Sequence, residues 1–165
     1  MKKDFLYLFK SIVCRHLEYM NFVLSPYKNK DIQAIENVQR RATKLIPELR
    51  DNTYQERLRI LQLPTLIYRR LRGDMIEMFK ILNVYDKDTT PLISPETHTR
   101  TRGHRHKLAK KRSSTKMRQN YFTQRIVNDW NSLPNHVVTA PSLNSFKARL
   151  DTFWNKLDLK YNHEA

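Results

Sequence analysis

The sequence predicts an all-α fold: five or six amphipathic helices in a small bundle, with a central basic loop or extended arm. Three observations lead there. Only two glycines, Gly73 and Gly103, occur in 165 residues, too few for a turn-rich β protein. Apolar residues recur at intervals of three and four over several windows, the period of a helix with one buried face. Helix start and stop signals flank those windows.

Phe5, Leu6, Phe9, Ile12, Val13, Leu17 and Met20 give a first amphipathic helix, which Ser25-Pro26-Tyr27 breaks. A second opens near Asp31, with Ile32, Ile35, Val38, Ala42 and Leu45 on one face and Arg40, Arg41 and Lys44 on or beside the opposite one. Pro47 ends or kinks it, because proline lacks the N–H that the ladder needs. Thr53-Tyr54-Gln55-Glu56 fits a capping box, in which Thr53 and Glu56 satisfy each other's free backbone donors at the start of a third helix. Pro64 suits the first turn of a fourth, whose face reads Ile67, Leu71, Met75, Met78 and Leu82. On it, Asp74 and Glu77 are expected to pair with Arg70, Arg72 and Lys80.

Composition shifts over residues 84–118. From His98 to Arg118 there is no acidic residue and there are nine basic ones, so mutual repulsion opposes compaction and predicts a loop or extended arm. Helical spacing returns with Phe122, Ile126, Trp130 and Leu133 and stops at Pro134. Ser142 is placed to cap a last helix carrying Leu143, Phe146, Leu150, Phe153 and Leu157. The expected organisation is a helical subdomain over 1–85, a basic linker or arm over 86–118, and a C-terminal helical subdomain over 119–165.

Lys and Arg number 31 against 16 Asp and Glu, a net charge of +15 with a sequence pI near 10.1. Residues 1–85 contribute +7 and residues 86–165 contribute +8. A field of that sign and size favours a polyanionic partner, nucleic acid or an anionic membrane surface. The one cysteine, Cys14, excludes an internal disulfide and a multi-cysteine zinc site, and points to a reducing, intracellular setting. The apolar run from Phe5 to Phe9 stops at Lys10, too short for a secretory signal, and no stretch approaches a membrane span. A soluble, unsecreted protein is expected.

Catalytic patterns are sparse. Two glycines 30 residues apart cannot build a phosphate-cradling loop. His16, two residues from Cys14, points about 200° away from it on a helix and is no base for a nucleophilic thiol. His98, His104 and His106 cluster, but no cysteine or tight carboxylate pair lies nearby to complete a metal shell. Tyr85-Asp86-Lys87-Asp88 holds the one local carboxylate pair, and Lys87 separates it, unlike the paired acids of two-metal phosphoryl transfer. The isolated chain is therefore expected to be no enzyme, with no cofactor, no metal and no small-molecule substrate.

The positive case rests on three basic clusters able to contact phosphates: Arg40, Arg41 and Lys44; Arg69, Arg70 and Arg72; and an arm of Arg100, Arg102, His104, Arg105, Lys107, Lys110, Lys111, Arg112, Lys116 and Arg118. On the two helical clusters a solvated face with i,i+4 partners is an equal reading. Tyr27, Tyr54, Tyr68, Tyr121 and Trp130 offer stacking surfaces to single-stranded bases, although Trp130, Phe153 and Trp154 lie on or next to apolar faces and are expected to pack in the core.

A longer series of residues points to a family. It begins with Leu17-Glu18-Tyr19, Ser25-Pro26-Tyr27 and Asp31-Ile32-x-x-Ile35-Glu36-x-Val38-Gln39-Arg40-Arg41-Ala42-Thr43-Lys44. Tyr54-x-Glu56-Arg57-Leu58, Leu61-x-Leu63-Pro64-Thr65-Leu66 and Arg69-Arg70-Leu71-Arg72-Gly73-Asp74-Met75-Ile76 follow. It resumes at Arg102-Gly103-His104, Arg125-Ile126-Val127-x-x-Trp130-Asn131-x-Leu133-Pro134 and Ser142-x-Asn144-x-Phe146-Lys147-x-Arg149-Leu150-Asp151. In this order, from about residue 15 to 155, the series resembles the segment after the palm in jockey-like non-LTR (LINE-type) retrotransposon reverse transcriptases.

That resemblance implies a thumb-like subdomain over 1–85 and a C-terminal extension that helps hold template RNA, primer or target DNA. It implies a parent RNA-directed DNA polymerase with an endonuclease and a palm upstream. The adjacent-aspartate motif, the nuclease and the Cys/His knuckle of some relatives are missing from this sequence. The resemblance thus implies a non-catalytic nucleic-acid-binding fragment, nuclear or cytoplasmic, with RNA or DNA and the palm of a full-length enzyme as partners. A structural remnant without activity is the alternative, and a residual enzyme acting in trans a third. Trp130-Asn131 and Leu133-Pro134 read as architecture. Gly73 reads as a close approach by another segment or as a tolerated helical glycine.

Overall fold

A computed structural model describes residues 2–19, 21, 23, 25–83, 104, 106–155, 160 and 161. Among these there are helices and no strand, an all-α fold. Helix α1 (Lys2–Leu8), a π turn (Phe9–Val13) and α2 (Cys14–Leu17) form one broken helix. They are followed by α3 (Asn29–Lys44), a 3₁₀ turn (Pro47–Leu49), α4 (Tyr54–Leu61) and α5 (Leu66–Asn83). The series ends with α6 (Lys116–Gln119), α7 (Phe122–Asn131), α8 (Asn135–Val138) and α9 (Leu143–Asn155). No helix among the described residues is long and apolar enough to cross a membrane.

The chain divides into two compact units, one of Met1–Arg72 with Trp154–Ala165 and one of Gly73–Phe153. Neither boundary coincides with the expected ones at 85 and 118. The first boundary falls inside α5, because partners later in the chain claim the two parts of that helix separately. In the first unit the Thr65 N–H, just before α5, bonds Lys160 O at 3.1 Å, and Tyr68 meets Trp154 edge-on at 5.6 Å. In the second unit, Phe79 stacks on Phe146 at 4.4 Å. There Asp74 receives a fork from Arg125, with Nε to Oδ2 at 2.9 Å and a terminal nitrogen to Oδ1 at 3.0 Å. Glu77 pairs with Lys80 at 3.1 Å as its spacing predicts, whereas Arg125 lies beyond the reach of any i,i+4 argument.

The core of the first unit gathers Phe9, Cys14, Ile46, Leu49, Tyr54, Leu58, Leu61 and Leu63. Its first helix departs from the predicted face. The π turn carries the Cys14 N–H back to Phe9 O, an i→i+5 bond that inserts one residue into the turn. Phe9 and Cys14, five apart, are therefore the buried pair, while Ile12 is 55% exposed.

Helix α3 is turned as well. Glu36, Gln39 and Thr43 are buried, whereas Val38 and Leu45, from the predicted apolar stripe, are exposed. The buried positions follow the stripe by one residue, a rotation of about 100°. A polar network explains the choice. Tyr54 Oη donates to Glu36 Oε1 at 2.5 Å, and the Leu66 N–H donates to Glu36 Oε2 at 2.9 Å. Gln39 Nε2 donates to Pro64 O at 3.0 Å and to Tyr54 Oη at 3.3 Å. Burial and the hydrogen bond to the Glu36 carboxylate both raise the Tyr54 phenol above its ordinary range, which keeps it a donor.

Most local signals are realised where the sequence places them. Thr53 and Glu56 form the reciprocal capping box of α4. Gln62 ends that helix in the left-handed region (φ 51°, ψ 39°). Its N–H bonds Arg59 O, and the Leu63 N–H bonds Leu58 O, a Schellman closure with Leu58 and Leu63 both fully buried. Pro64 lies outside α5 rather than in its first turn. Thr65 is the cap, its Oγ1 accepting from the Tyr68 N–H at 3.2 Å. Ser142 caps α9 through Ser145 at 3.2 Å. Around α7 and α9, Ile126, Trp130, Phe146 and Leu150 are buried to 1% or less. Leu157 lies outside the described residues. Gly73 is an ordinary helical position of α5.

Two stability outcomes follow. Glu36→Ala strands a buried hydroxyl and a buried N–H, and should cost about 3 kcal/mol in chemical denaturation; adding Tyr54→Phe should recover about 1 kcal/mol by removing one stranded group. Gln62→Gly relieves the left-handed backbone and should stabilise by about 1 kcal/mol, read as a rise in Tm.

Candidate nucleic-acid interface

Formal charge does not make a surface; what matters is whether each cation already has a partner. In the arm, Arg100, Arg102 and Arg105 lie outside the described residues, as does His98. Of the rest, Lys107 is half-buried, and Lys110, Lys111, Arg112, Lys116 and Arg118 are exposed. Lys110 Nζ reaches Asn128 Oδ1 at 3.4 Å and acts on the Asp129 carboxylate. Helix α6 carries Lys116 and Arg118, with Thr115 Oγ1 capping at the Arg118 N–H (3.3 Å).

His104 and residues 106–108 are not part of a free arm. Asn131 binds both backbone groups of Leu108, Oδ1 accepting its N–H and Nδ2 donating to its carbonyl, each at 2.9 Å. Trp130 Nε1 donates to His106 O at 2.9 Å, and Leu108 is buried. These anchors offset the repulsion that predicts an undocked arm, and they explain Trp130-Asn131 as architecture.

His104 also departs from expectation. It is 4% exposed. Its Nε2 donates to Trp130 O at 3.1 Å and its Nδ1 accepts the His106 N–H at 3.2 Å. With both nitrogens engaged in the interior, the ring is not presented to a strand. Burial, ahead of the charges of His106 and Lys107, lowers its pKa, and the bond to Trp130 O only partly opposes this.

The α5 cluster faces inward. Arg69 pairs with Glu18 and donates to Cys14 Sγ at 3.0 Å. Arg70 donates to Leu17 O at 3.1 Å and accepts on its own carbonyl from Asn21 Nδ2 at 2.8 Å. Together they tie α5 to the end of α2. Burial raises the Glu18 carboxyl, while Arg69 pulls it back. Arg72 is half-buried and also engaged. Arg69 and Arg70 thus hold parts of the fold together rather than lying on a solvated face.

Arg41 and Lys44 are exposed on α3, and Arg40 lies over the Tyr54 ring at 5.1 Å from its centroid. A cleft of about 660 Å³ opens there, lined by Arg40, Lys44, Arg50, Asn52, Thr53, Tyr54, Gln55 and Arg57. Arg57, 5% exposed, stands at 5.7 Å from the same ring and is fixed by Thr43 Oγ1 at 3.3 Å and Asn52 O at 2.5 Å. Arg50 and Arg57 escaped the sequence reading because neither belongs to a run of cations. Of the candidate stacking aromatics, Tyr54, Tyr68 and Trp130 are buried; Tyr27 and Tyr121 are exposed.

Among the described residues no three of His, Cys, Asp and Glu come together as metal ligands. No family model, curated protein or solved structure matches the chain.

The His104 geometry sets a pH dependence. Its folded-state pKa is lowered, so the unfolded chain binds the proton first. The contribution is complete above the ordinary histidine value of about 6.5 and is lost as pH falls through the lower folded value. Denaturation midpoints should therefore fall from pH 7.5 to 5.0, and less so in His104→Gln. An equal fall in the variant would place the titrating group elsewhere.

Proposed function

We propose that the chain is a non-catalytic nucleic-acid-binding fragment of a non-LTR retrotransposon reverse transcriptase, meeting template, primer or target DNA through phosphates. The observation that carries the reading is the row of exposed cations Lys110, Lys111, Arg112, Lys116 and Arg118, following a segment pinned to α7 by Asn131 and Trp130. Anchored cations lose less conformational freedom on binding than a free tail does. Arg41 and Lys44 add a second exposed pair on α3. Arg69, Arg70 and His104 are withdrawn from the set, since intramolecular contacts engage them. In this reading the protein acts inside the cell, in nucleus or cytoplasm, and the palm of a full-length enzyme is its second partner.

A structural remnant is the competing reading, and one observation favours it. Tyr7 (75%), Leu8 (56%) and Ile12 (55%) on the first helix and Leu45 (74%) after α3 are large apolar side chains left in water, such as a missing neighbour would cover.

Fluorescence anisotropy with a single-stranded 30-mer across a salt titration separates the two. Binding should weaken steeply with salt, and alanine at Lys110, Lys111, Arg112, Lys116 and Arg118 should flatten the logarithmic slope by about 0.7 for each phosphate that is no longer neutralised. An unchanged slope removes this row from the interface. No binding at low salt, with aggregation in light scattering, leaves the remnant reading standing.

A further inference from the structure

The cleft between α3 and α4 is a different object from the exposed row on α6 and the segment before it. Four cations line it, Arg40, Lys44, Arg50 and Arg57, and no carboxylate does. None of the four forms an ion pair among the described residues. Two acids of the adjoining helices are engaged elsewhere: Glu36 with Tyr54 and Leu66, Glu56 with Thr53. Asp51, on the turn between the helices, is exposed and does not line the cleft.

Two of the cations are also held in place. Arg57 and Arg40 both lie over the Tyr54 ring, and Arg57 is held by Thr43 and Asn52. Arg40 Nε is buried and has no hydrogen-bond partner among the described residues. Lys44 and Arg50 stand exposed at the rim. The volume falls within the range of small-ligand sites, roughly 300–1,000 Å³, sufficient for one nucleotide-sized group. Guanidiniums match phosphate oxygens in pairs.

We infer that this cleft receives the terminal phosphate of a nucleic-acid strand. The assignment rests on the proposed nucleic-acid reading and adds a specific site to it. A phosphomonoester near neutral pH carries about −1.5 to −2 charges, where each backbone phosphodiester carries one. Four cations with no acid among them reward the second charge, so the cleft selects a strand end over the strand's interior.

The test uses the full chain and internally labelled single-stranded 10-mers carrying a phosphate at the 5′ end, at the 3′ end or at neither. One of the phosphorylated probes should bind about tenfold more tightly than the unphosphorylated one, the value of one additional charge-assisted bond. Arg50→Ala and Lys44→Ala/Arg50→Ala, both at exposed positions, should abolish that ratio without moving Tm. Lys111→Ala/Arg112→Ala should weaken all three probes equally and keep the ratio. Equal affinity for the three probes, with the 30-mer still bound, overturns the terminal-phosphate assignment and leaves the nucleic-acid reading intact. A ratio that survives Lys44→Ala/Arg50→Ala overturns the cleft as its source. A Tm rise with inorganic pyrophosphate alone, without any end preference, assigns the cleft to free phosphate compounds and also overturns it. Failure of the 30-mer and all 10-mers to bind removes both readings.

Discussion

One buried carboxylate organises the first unit. Glu36, 1% exposed, accepts from the Tyr54 hydroxyl at the start of α4 and from the Leu66 N–H at the start of α5. Gln39, one turn further on, donates to the carbonyl of Pro64 between those helices. Three elements thus take their register from one polar edge of α3. An apolar edge would have packed with less directional demand, since hydrophobic packing tolerates sliding and rotation that hydrogen bonds do not. The arrangement accounts for the apolar side chains of α3 that remain in water: the helix cannot present both edges inward.

The same edge sets the chemistry at its C-terminal end. Turning Glu36, Gln39 and Thr43 inward brings Arg40 over the Tyr54 ring and leaves Lys44 at the mouth of the cleft. Thr43 holds Arg57 across the way. A buried network and a cationic cleft are therefore built on one edge of one helix. In the second unit the corresponding device is Asp74 with Arg125, which joins α5 to α7 by a two-pronged bond.

What the sequence made legible was local. The Thr53–Glu56 box, the Ser142 cap, the break at Ser25-Pro26-Tyr27 and the helical windows all depend on neighbours within a few residues, and the structure contains them as far as the described residues reach. What it concealed was set from far along the chain. Glu36 meets partners 18 and 30 residues away, and apolar periodicity gives no hint that a carboxylate should face inward. Arg69 and Arg41 look alike in the sequence, yet Glu18 and Cys14, about 50 residues upstream, claim the first and leave the second in water. The π turn defeated the first helical face for a smaller reason: one inserted residue shifts every position after it.

The two bonds from Asn131 to Leu108 have a consequence for how this region can change. A side-chain amide that reads only backbone groups is indifferent to what side chains stand nearby. The path of the segment is thus written in Asn131 and Trp130 on α7, and its charge is written in a different set of residues, Lys110 to Arg118. Docking and electrostatics can be inherited, lost or retuned independently: a descendant could reverse every charge along the row and still lay the chain over the same helix.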